Sequence, residues 1–523
     1  MLTNLRIQNF KRFGKVEIEL GEAVVFIGPN DSGKTTALQA LALWEVGLKK
    51  WIEKRSLEET PAKRPGVTIN RQELTALPVP SAKYLWRDLH VRDVTRDEQE
   101  RQVTNNVRID IVVSGVTNGS KWDCGLEFDF ANEESLYCRP LRLDESKNPP
   151  RMQIPPQATD VKLAFLPPMS GLADREFVKQ RGEIEFLIGQ GRTAEVLRNL
   201  CFNLFGSPDG AFKWHKLARY IQVLFGVQLD KPDLIRERSE IVMSYNTQAG
   251  INLDLSSSGR GLHQTLLLLS FMAANPGAVL LLDEPDAHLE ILRQRQIYQI
   301  LTDTAREYDS QIIAASHSEV ILNEAADRDM VVAFVGSPHR IDDRGSQVLK
   351  SLRDIGFEQY YQAEQTGWVL YIEGSTDLAI VKAFAKKLDH PAQKALDRVF
   401  VCYVGNQPQR AREHFYGLRE AKSDLAGFLI MDRVDKPLQP GQDLTEYMWK
   451  KREIENYLCQ PETLYSYAES ALTRQFPGPL FDENNITRSR DAMKQCITDI
   501  VPACCISIFI PQLRPLRLKA RWK

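Results

Sequence analysis

The sequence has 523 residues, of which 43% are hydrophobic and 26% are charged, and its formal net charge is -2. These ordinary values predict a soluble chain of two or three domains. The near-zero charge excludes a general attraction to nucleic acid, so any such contact needs local basic patches. The eight cysteines include no C-x-x-C pair, which argues against zinc and disulfides, and no apolar run reaches the roughly 20 residues of a membrane span. We therefore expect a cytoplasmic protein without a membrane partner.

The first part of the chain has mainly the pattern of strands. Residues 5–13 and 16–20 alternate apolar and polar side chains, which predicts an antiparallel pair. The apolar segment Ala23–Ile27 predicts a third, buried strand. Residues 58–65 are polar and contain two prolines, which indicates a surface excursion. Further strands are predicted at residues 107–113, 122–130 and 162–166.

A candidate phosphate-binding loop follows the third strand. It consists of Gly28, Pro29, Asn30, Asp31, Ser32, Gly33, Lys34, Thr35 and Thr36. This is the G-x-x-x-x-G-K-[ST] pattern, and it precedes a predicted helix at residues 36–43. Backbone N–H groups and the helix N-terminus favour a phosphate there, while Lys34 would reach the β- and γ-phosphates and the Thr35 hydroxyl would bind Mg²⁺. A bare glycine-rich turn is the alternative, but the flanking elements favour a site for a nucleoside triphosphate.

Three later segments carry further candidate residues. In chain order these are Ser257 and Gly259 before an apolar helix at 265–273, Asp283 and Glu284 after the apolar run 278–282, and His317 after the strand Gln311–Ser316. A buried strand that ends in an acidic pair suits one carboxylate that organises Mg²⁺ and one that polarises water. Each signal is weak alone, because such pairs arise by chance and a histidine at a strand end is more often structural.

Together with the phosphate loop, these segments resemble the ATP-binding cassette ATPases, specifically the branch with RecF- and SMC-like heads. The resemblance implies that Asp283 supports Mg²⁺, that Glu284 is the general base for attack on the γ-phosphate, and that His317 senses that phosphate. It also implies that Ser257 and Gly259 form a signature loop. Such a loop acts across a head-to-tail dimer that holds two ATP molecules between its protomers.

The signature departs from the usual family pattern. Ser258 stands where the family usually has glycine, and Arg260 stands where it often has glutamine, which leaves the hydrolysis rate open. Asp286 and His288 fall where this branch has its dimer-facing loop. Gln72 is a candidate for the family's glutamine loop.

The second half of the sequence alternates strands and helices. Three apolar segments predict a small parallel sheet, at Trp368–Ile372, residues 399–404 and residues 425–431. Ligand sites lie at the carboxyl ends of such strands, and two strands deliver Glu373 and Asp432 there, with Asp377 one helical turn further on. Clustered carboxylates without His or Cys suit Mg²⁺ or Mn²⁺. A site of this kind can clamp the attacking and leaving oxygens during phosphodiester cleavage.

This arrangement resembles a Toprim domain, and the resemblance adds candidate ligands. Residues 451–458 resemble the acidic segment that follows the sheet in Toprim nucleases of bacterial defence systems, which implies Glu453 and Glu455 as additional metal ligands. A solvated helix face is the alternative for these two residues. The family usually ends the strand with Asp-x-Asp, but Val434 occupies the second position and the next acid is Asp435. Because side chains alternate along a strand, Asp435 reaches the metal only if the chain leaves the strand directly after Asp432.

The sequence therefore predicts an α/β protein in which an ABC-type P-loop ATPase domain with a mixed sheet precedes a smaller, Toprim-like parallel α/β domain. We place the ATPase domain at 1–345 with an inserted region at about 50–250, a linker at 346–366, the Toprim-like domain at 367–470 and a C-terminal segment at 471–523.

This combination resembles the OLD (overcoming lysogenization defect) nucleases and the fused form of ATPase–Toprim anti-phage systems such as PARIS. The resemblance implies an ATP-regulated, Mg²⁺- or Mn²⁺-dependent nuclease that acts on DNA or tRNA in antiviral defence. It further implies a homodimer or higher homo-oligomer through the ATPase heads, and a phage-encoded trigger or a partner defence protein.

Three other functions are alternatives to a nuclease. One is an ATP-driven sensor or scaffold whose Toprim half docks a partner. A transporter ATPase fits less well, because it has no use for a Toprim-like half. An SMC-like chromosome organiser is disfavoured because Gly206, Pro208 and Gly210 interrupt the helical region 192–225, which excludes a long coiled-coil arm there.

Overall fold

The computed structural model of the chain describes residues 1–55, 66–96, 102–144, 146, 149–326, 328–341, 355–433, 441, 443–475 and 483–500. Its contacts divide the chain into two compact units, Met1–Glu364 and Gln365–Lys523. The predicted excursion at 58–65, Asp435 and the tail beyond residue 500 lie outside the described residues. None of the helices in the described ranges combines the length and apolar character that a membrane span requires.

The first unit is built mainly on two six-stranded sheets. Its strands are β1 (Leu2–Phe10), β2 (Phe13–Glu19), β3 (Ala23–Ile27), β4 (Val67–Asn70), β5 (Arg92–Arg96), β6 (Gln102–Asn106), β7 (Ile109–Thr117), β8 (Ser120–Asn132), β9 (Ser135–Pro140), β10 (Leu163–Leu166), β11 (Gln228–Leu229), β12 (Asp233–Ile235), β13 (Glu240–Val242), β14 (Ser244–Asn246), β15 (Asn252–Asp254), β16 (Val279–Asp283), β17 (Gln311–Ser316), β18 (Met330–Ala333) and β19 (His339–Arg340). The helices up to the boundary between the units are α1 (Lys34–Arg55), α2 (Pro156–Thr159), α3 (Arg181–Gly189), α4 (Leu197–Phe205), α5 (Gly210–Phe225), α6 (Arg260–Ala274), α7 (Ile291–Glu307), α8 (Glu319–Ala325) and α9 (Phe357–Thr366). One sheet has the order β2-β1-β7-β8-β9-β4, and the other has the order β10-β16-β17-β3-β18-β19.

The second of these sheets positions the candidate ATP site. Strands β16, β17 and β3 run parallel, with Asp283 beside Ala315 and Ser316 beside Ile27. All residues of β16 and β17 are buried, which is the pattern of parallel strands that are covered on both faces. The phosphate loop, the acidic pair and His317 therefore all lie at the carboxyl ends of these strands.

Helix α1 lies in a core that it shares with both sheets. Its side chains Leu38 and Trp44 are fully buried and belong to the same apolar cluster as Phe128 on β8 and Leu281 on β16. The indole N–H of Trp44 donates to the backbone carbonyl of Cys124 at 3.0 Å. Burying this apolar area stabilises the helix, so the helix that follows the phosphate loop is anchored on a packed core.

The structure corrects one predicted boundary near the start of the chain. The antiparallel pair is confirmed, but its first strand ends at Phe10 rather than at residue 13. Lys11 has a left-handed conformation with φ of 47°, and Phe10 pairs with Phe13 across the turn. The alternating pattern continues through this tight turn and therefore does not mark it. The second predicted pair is also confirmed, with Ile109 opposite Phe128.

The second unit contains a four-stranded sheet with helices between its strands. Its elements are β20 (Trp368–Ile372), α10 (Ser375–Lys387), α11 (Ala392–Leu396), β21 (Phe400–Tyr403), α12 (Pro408–Ala421), β22 (Ala426–Met431), β23 (Leu444–Met448), α13 (Pro461–Gln475) and α14 (Glu483–Ile500). The strand order is β21-β20-β22-β23, and every neighbouring pair is parallel. This confirms the predicted parallel sheet and adds the edge strand β23, whose mixed polar sequence gives no clear signal.

A buried group of ion pairs lies on the antiparallel sheet of the first unit. The Glu127 side chain on β8 is fully buried and contacts Arg151 at 2.6 Å and Arg142 at 3.1 Å, and Arg139 contacts it as well. Burial by itself raises the pKa of Glu127, but the hydrogen bonds and charges of Arg151 and Arg139 outweigh burial and lower it. The folded state therefore favours the ionised carboxylate.

We expect Glu127→Gln to lower the free energy of unfolding at neutral pH by up to about 3–5 kcal/mol, because the partly buried arginines around this fully buried side chain lose their shared counter-charge. Since folding lowers this pKa, the wild type has its full advantage above the unfolded value of about 4.3 and loses it as the pH falls through the folded value. Denaturant unfolding at neutral pH measures the difference. The control is Glu133→Gln, at a side chain that is 66% exposed, and an equal loss in both variants would contradict the assigned role of Glu127.

Candidate functional site

The phosphate loop begins at the carboxyl end of β3 and ends in the first turn of α1. The buried Lys34 ammonium donates to the backbone carbonyls of Gly28 at 2.7 Å and Pro29 at 2.6 Å. Burial lowers the pKa of Lys34. Asn30 is exposed and Thr36 is half-buried. An ammonium group has three donors, so the loop carbonyls fix its position by using two of them.

The shape of the loop depends on its residue types. Gly33 has φ of 106°, a region open mainly to glycine, and an added Cβ would come within 2.9 Å of the Phe13 ring. Asp31 is left-handed with φ of 60°, and its exposed carboxylate lies 3.5 Å from Arg12. The Ser32 hydroxyl is buried and has no hydrogen-bond partner among the described residues. A phosphate oxygen would satisfy such a group.

A hydrogen bond joins the phosphate loop to β16. The Thr35 hydroxyl donates to the carboxylate oxygens of Asp283 at 3.0 and 2.9 Å. Burial raises the pKa of Asp283 to about 6, although the bond from Thr35 opposes this. One hydroxyl and one carboxylate beside a phosphate loop are the oxygen donors that Mg²⁺ prefers. These two residues therefore fit a nucleotide-bound Mg²⁺.

Glu284 and His317 face each other across the ends of β16 and β17. Their side chains approach to 3.6 Å between a carboxylate oxygen and Nδ1. This approach of His317 lowers the pKa of Glu284, and the same contact raises the pKa of His317. Glu284 has φ of 47°, which is uncommon for a residue with a side chain, and its N–H donates to Ala315 at 2.8 Å. The carboxylate is thus held ionised in a backbone conformation typical of functional positions.

The residues after Glu284 form a buried turn. Asp286 is 3% exposed, burial raises its pKa, and its Oδ1 atom has no hydrogen-bond partner among the described residues. His288 is left-handed, with φ of 64°. The side-chain amide of Gln264 lies 3.5 Å from the carbonyls of Glu284 and Pro285 and links α6 to the acidic pair. Sequence reasoning missed Gln264, whose only signal is a polar side chain inside an apolar helix.

The predicted signature residues lie on an exposed loop before α6. Ser257 and Gly259 are both exposed, as is Arg260 at the start of the helix. Gly259 has an ordinary φ of -71°, and an added Cβ would meet nothing within 4 Å. No described part of this chain therefore requires a glycine at this position. Gln72, the candidate for a glutamine loop, is exposed in a 3-10 turn at Arg71–Glu73.

Two buried polar side chains, Arg198 and His263, and the capping residue Asp254 support the signature loop. The Asp254 carboxylate caps the turn before Ser258 and accepts a hydrogen bond from the buried Arg198 at 3.1 Å. The Nε2 atom of His263 lies 2.8 Å from both the Leu255 carbonyl and the Ser258 hydroxyl. Burial lowers the pKa of His263, which favours a neutral ring in this position. Sequence reasoning missed Arg198 and His263, because no local pattern connects them with the loop.

Three carboxylates converge at the carboxyl edge of the sheet in the second unit. Glu373 follows β20, Asp432 follows β22 and Asp377 lies in the first turn of α10, and one oxygen of each lies within 4.8 Å of the others. Burial, followed by the hydrogen bond and charge of Asp432, raises the pKa of Glu373 to about 7. The backbone N–H groups of Gly374 and Ile454 donate to Asp377 at 3.1 Å and to Asp432 at 3.3 Å.

This cluster has the chemistry of a cation site. The Oε2 atom of Glu373 is buried without a hydrogen-bond partner among the described residues. Neighbouring carboxylates repel each other, which raises their pKa values, and a divalent cation would remove that repulsion. Oxygen-only donors fit Mg²⁺ or Mn²⁺.

The other predicted ligands are not members of this cluster. Glu455 lies close enough for its charge to raise the pKa of all three carboxylates, but the described group of ligand atoms does not include it. Glu453 is also outside the group; its backbone N–H donates to the Asn456 side chain at 2.9 Å, which closes the turn there. Asp435 lies outside the described residues.

Comparison with known proteins yields matches to ATPase domains. Residues 1–65 match a family model described as "AAA ATPase domain". Residues 209–323 match a model described as "AAA domain, putative AbiEii toxin, Type IV TA system". No curated protein matches the sequence.

Solved structures of SMC heads also match the chain at low similarity. The SMC head domain from Thermotoga maritima is 16% identical over 65% of this chain and 98% of that chain, with a TM-score of 0.33. An Smc head bound to the C-terminal domain of ScpA, derived from Pyrococcus furiosus, is 12% identical over 67% and 99%, with a TM-score of 0.36. A further SmcHead, bound to the C-winged helix domain of ScpA, is 11% identical over 66% and 98%, with a TM-score of 0.37.

The two family matches coincide with the site described above. One contains the phosphate loop, and the other contains the signature loop, the acidic pair and His317. The phosphate loop, the acidic pair and His317 lie together at the carboxyl ends of parallel strands. Two segments of the first unit are therefore similar to AAA-type ATPase domains, and between them they contain the residues of the candidate ATP site.

Proposed function

We propose that the chain is an ATP-hydrolysing, metal-dependent nuclease of the OLD or ATPase–Toprim type that acts in bacterial anti-phage defence. The observation that carries this proposal is the convergence of Glu373, Asp377 and Asp432 on a chain that also has an ATPase domain. A divalent cation held by those oxygens would supply a clamp for the attacking and leaving oxygens of a phosphodiester. In this proposal the second unit is a Toprim-like domain, and DNA or tRNA is its substrate.

At the ATP site, the side chains divide the tasks of phosphoryl transfer. Lys34 and the loop backbone hold the phosphates, and Thr35 and Asp283 hold Mg²⁺. Glu284 accepts a proton from the attacking water. His317 orients Glu284, a role supported by the 3.6 Å approach of the two side chains, and it would also face the γ-phosphate.

ATP-driven dimerisation of the heads would control the nuclease site. The exposed Ser257 and the uncrowded Gly259 support this part of the proposal, because a second chain or its nucleotide can approach the glycine closely. A phage-encoded trigger or a partner defence protein would act on this assembly.

We expect Glu284→Gln to keep ATP binding but to slow hydrolysis by about 100-fold or more, since a general base contributes about 10²–10⁴. The ATP-bound dimer should then accumulate. Phosphate release and size-exclusion chromatography with light scattering measure the two effects. Glu17→Gln, at an exposed carboxylate on β2, is the control. Hydrolysis by Glu284→Gln at the native rate would refute the assigned role.

Cleavage assays on plasmid DNA and on tRNA test the proposed function directly. The full-length protein is incubated with ATP and with Mg²⁺, Mn²⁺ or EDTA. We expect cleavage that requires the metal and that identifies which nucleic acid is the substrate. Intact substrates under all metal conditions would count against a nuclease and favour a sensor or scaffold.

A further inference from the structure

The carboxylate cluster is bordered by a segment that runs beside the end of β22. The backbone N–H of Trp449 donates to the carbonyl of Met431 at 3.0 Å, and the N–H of Arg433 donates to Arg452 at 2.8 Å. Two residues later, the N–H of Ile454 donates to the Asp432 carboxylate. Residues 449–454 therefore form one wall of the candidate metal site.

Three aromatic rings lie in contact along this wall, and we call them the aromatic rim: Tyr447, Trp449 and Tyr457. The ring centroids of Tyr447 and Trp449 are 5.3 Å apart, and those of Trp449 and Tyr457 are 5.6 Å apart. Tyr447 is 44% exposed, and the other two rings are half-buried. The Tyr457 hydroxyl accepts backbone hydrogen bonds from Lys450 at 3.2 Å and Lys451 at 3.3 Å. Contacts within the rim thus hold the rings at the surface instead of in a core.

Cationic residues lie next to the aromatic rim along the same segment and on the adjoining end of β22. Arg433, Lys450 and Arg452 are exposed, and we call these three the basic rim. Within the described ranges, none of them forms an ion pair with a carboxylate. Lys451 lies 5.0 Å from the Tyr457 ring centroid and donates to the Asn456 carbonyl at 2.8 Å. These cationic residues lie on or beside the backbone segment that borders Asp432, so a polyanion bound along this segment would meet positive charge.

Stacking rings and cations without an ion pair to any described carboxylate together fit one class of ligand. The faces of unpaired bases stack on aromatic side chains, whereas bases inside a duplex are already stacked on each other. Exposed arginines and lysines attract phosphates of any sequence. We propose that the carboxylate cluster acts on unpaired, single-stranded nucleic acid, whose bases stack on the aromatic rim and whose phosphates contact the basic rim. This inference rests on the proposed nuclease function and names the form of its substrate.

Binding is tested on the full chain carrying Glu373→Gln, which prevents cleavage. The probes are fluorescein-labelled strands of about 16 nucleotides, the upper site size of a single-strand-binding fold, supplied as DNA, as RNA and as the DNA duplex of the same sequence. Fluorescence anisotropy should show about tenfold tighter binding of a single strand than of the duplex. Stacking of one base on an aromatic ring raises the affinity by roughly tenfold. The RNA and DNA strands reveal which sugar is preferred.

Adding Trp449→Ala should weaken single-strand binding about tenfold and leave duplex binding unchanged, while Trp449→Phe should retain most of the affinity. Tyr403→Ala is the matched control, since this 46% exposed ring lies at the opposite edge of the same sheet. Replacing Arg433 and Arg452 with glutamine should weaken binding of every probe and reduce its salt dependence. Thermal unfolding of each variant identifies any loss of fold.

Equal affinity for duplex and single strand, or no effect of Trp449→Ala in a folded variant, would overturn the inference. The wild type is then assayed for cleavage of the same probes. Single-strand preference without cleavage would refute the proposed nuclease function but leave the binding surface. Cleavage confined to the duplex would support the nuclease function but refute the preference for single strands.

Discussion

Replacing Lys34 with alanine should weaken ATP binding by at least about 100-fold, or about 2.8 kcal/mol, within the range for truncating one partner of a buried charged contact. The ammonium is buried and already held by Gly28 and Pro29, so it is oriented before nucleotide binds. Hydrolysis should fall to background, because phosphoryl transfer depends on positioning and charge neutralisation. Isothermal titration with Mg²⁺–ATP and phosphate-release assays measure both effects.

The control for this prediction is Lys15→Ala, which removes an exposed lysine from β2 and should change neither quantity. Since Lys34 also supports the loop carbonyls, thermal unfolding without nucleotide must first show that the variant is folded. ATP should then raise the melting temperature of the wild type and of Lys15→Ala only, because a ligand at 100 times its Kd stabilises by about 2.7 kcal/mol. Native ATP affinity in folded Lys34→Ala would refute the assignment of the phosphate loop.

Replacing Glu373 with glutamine should abolish metal-dependent cleavage and leave ATP hydrolysis intact. The substitution keeps the shape of the side chain but removes the charge of one member of the carboxylate cluster. We expect cleavage to fall by more than about 100-fold. Changing a residue that only contacts a metal ligand already costs up to about 100-fold, and the loss of a ligand should cost more. Titration with Mn²⁺ should show loss of the corresponding binding event, which is a readout independent of catalysis.

Glu413→Gln on α12 is the matched control, because that carboxylate is exposed in the same unit. It should retain cleavage, metal binding and ATP hydrolysis. Loss of both ATP hydrolysis and cleavage in Glu373→Gln would instead indicate a structural role for Glu373. Native cleavage by Glu373→Gln would remove the carboxylate cluster from the mechanism.

The contiguous part of the ATP site was predictable from local sequence. Residues 28–36 lie between one strand and one helix, and their residue types match the backbone conformation, as Gly33 shows with its φ of 106°. The bond between Thr35 and Asp283 joins residues 248 positions apart. No periodicity encodes that separation; the parallel order β16-β17-β3 produces it. Gln264 and Arg198 were missed because their contacts also join segments that are distant in the sequence.

In the second unit, the sequence at the strand ends predicted residues of the carboxylate cluster, but the sequence of the loops did not. Glu373 and Asp432 were identified because carboxyl ends of parallel strands meet at one edge. Glu453 and Glu455 were predicted from the resemblance of residues 451–458 to an acidic segment of Toprim nucleases, and the described cluster contains neither. The aromatic rim went unnoticed, since β23 has a mixed pattern and only its parallel pairing with β22 brings Trp449 to Met431.

The sequence by itself determined the motifs whose chemistry is local: the phosphate loop, the strands that end in carboxylates and the alternation that predicts a second α/β sheet. These follow from backbone conformation and side-chain period, which neighbouring residues decide. The tertiary structure decided the contacts between distant groups, such as the hydrogen bond from Thr35 to Asp283 and the approach of Glu284 to His317. It also fixed the spacing of the three carboxylates that the sequence had placed at one end of the second sheet. Such meetings depend on strand order and register, which arise from packing of the whole sheet and not from any single segment.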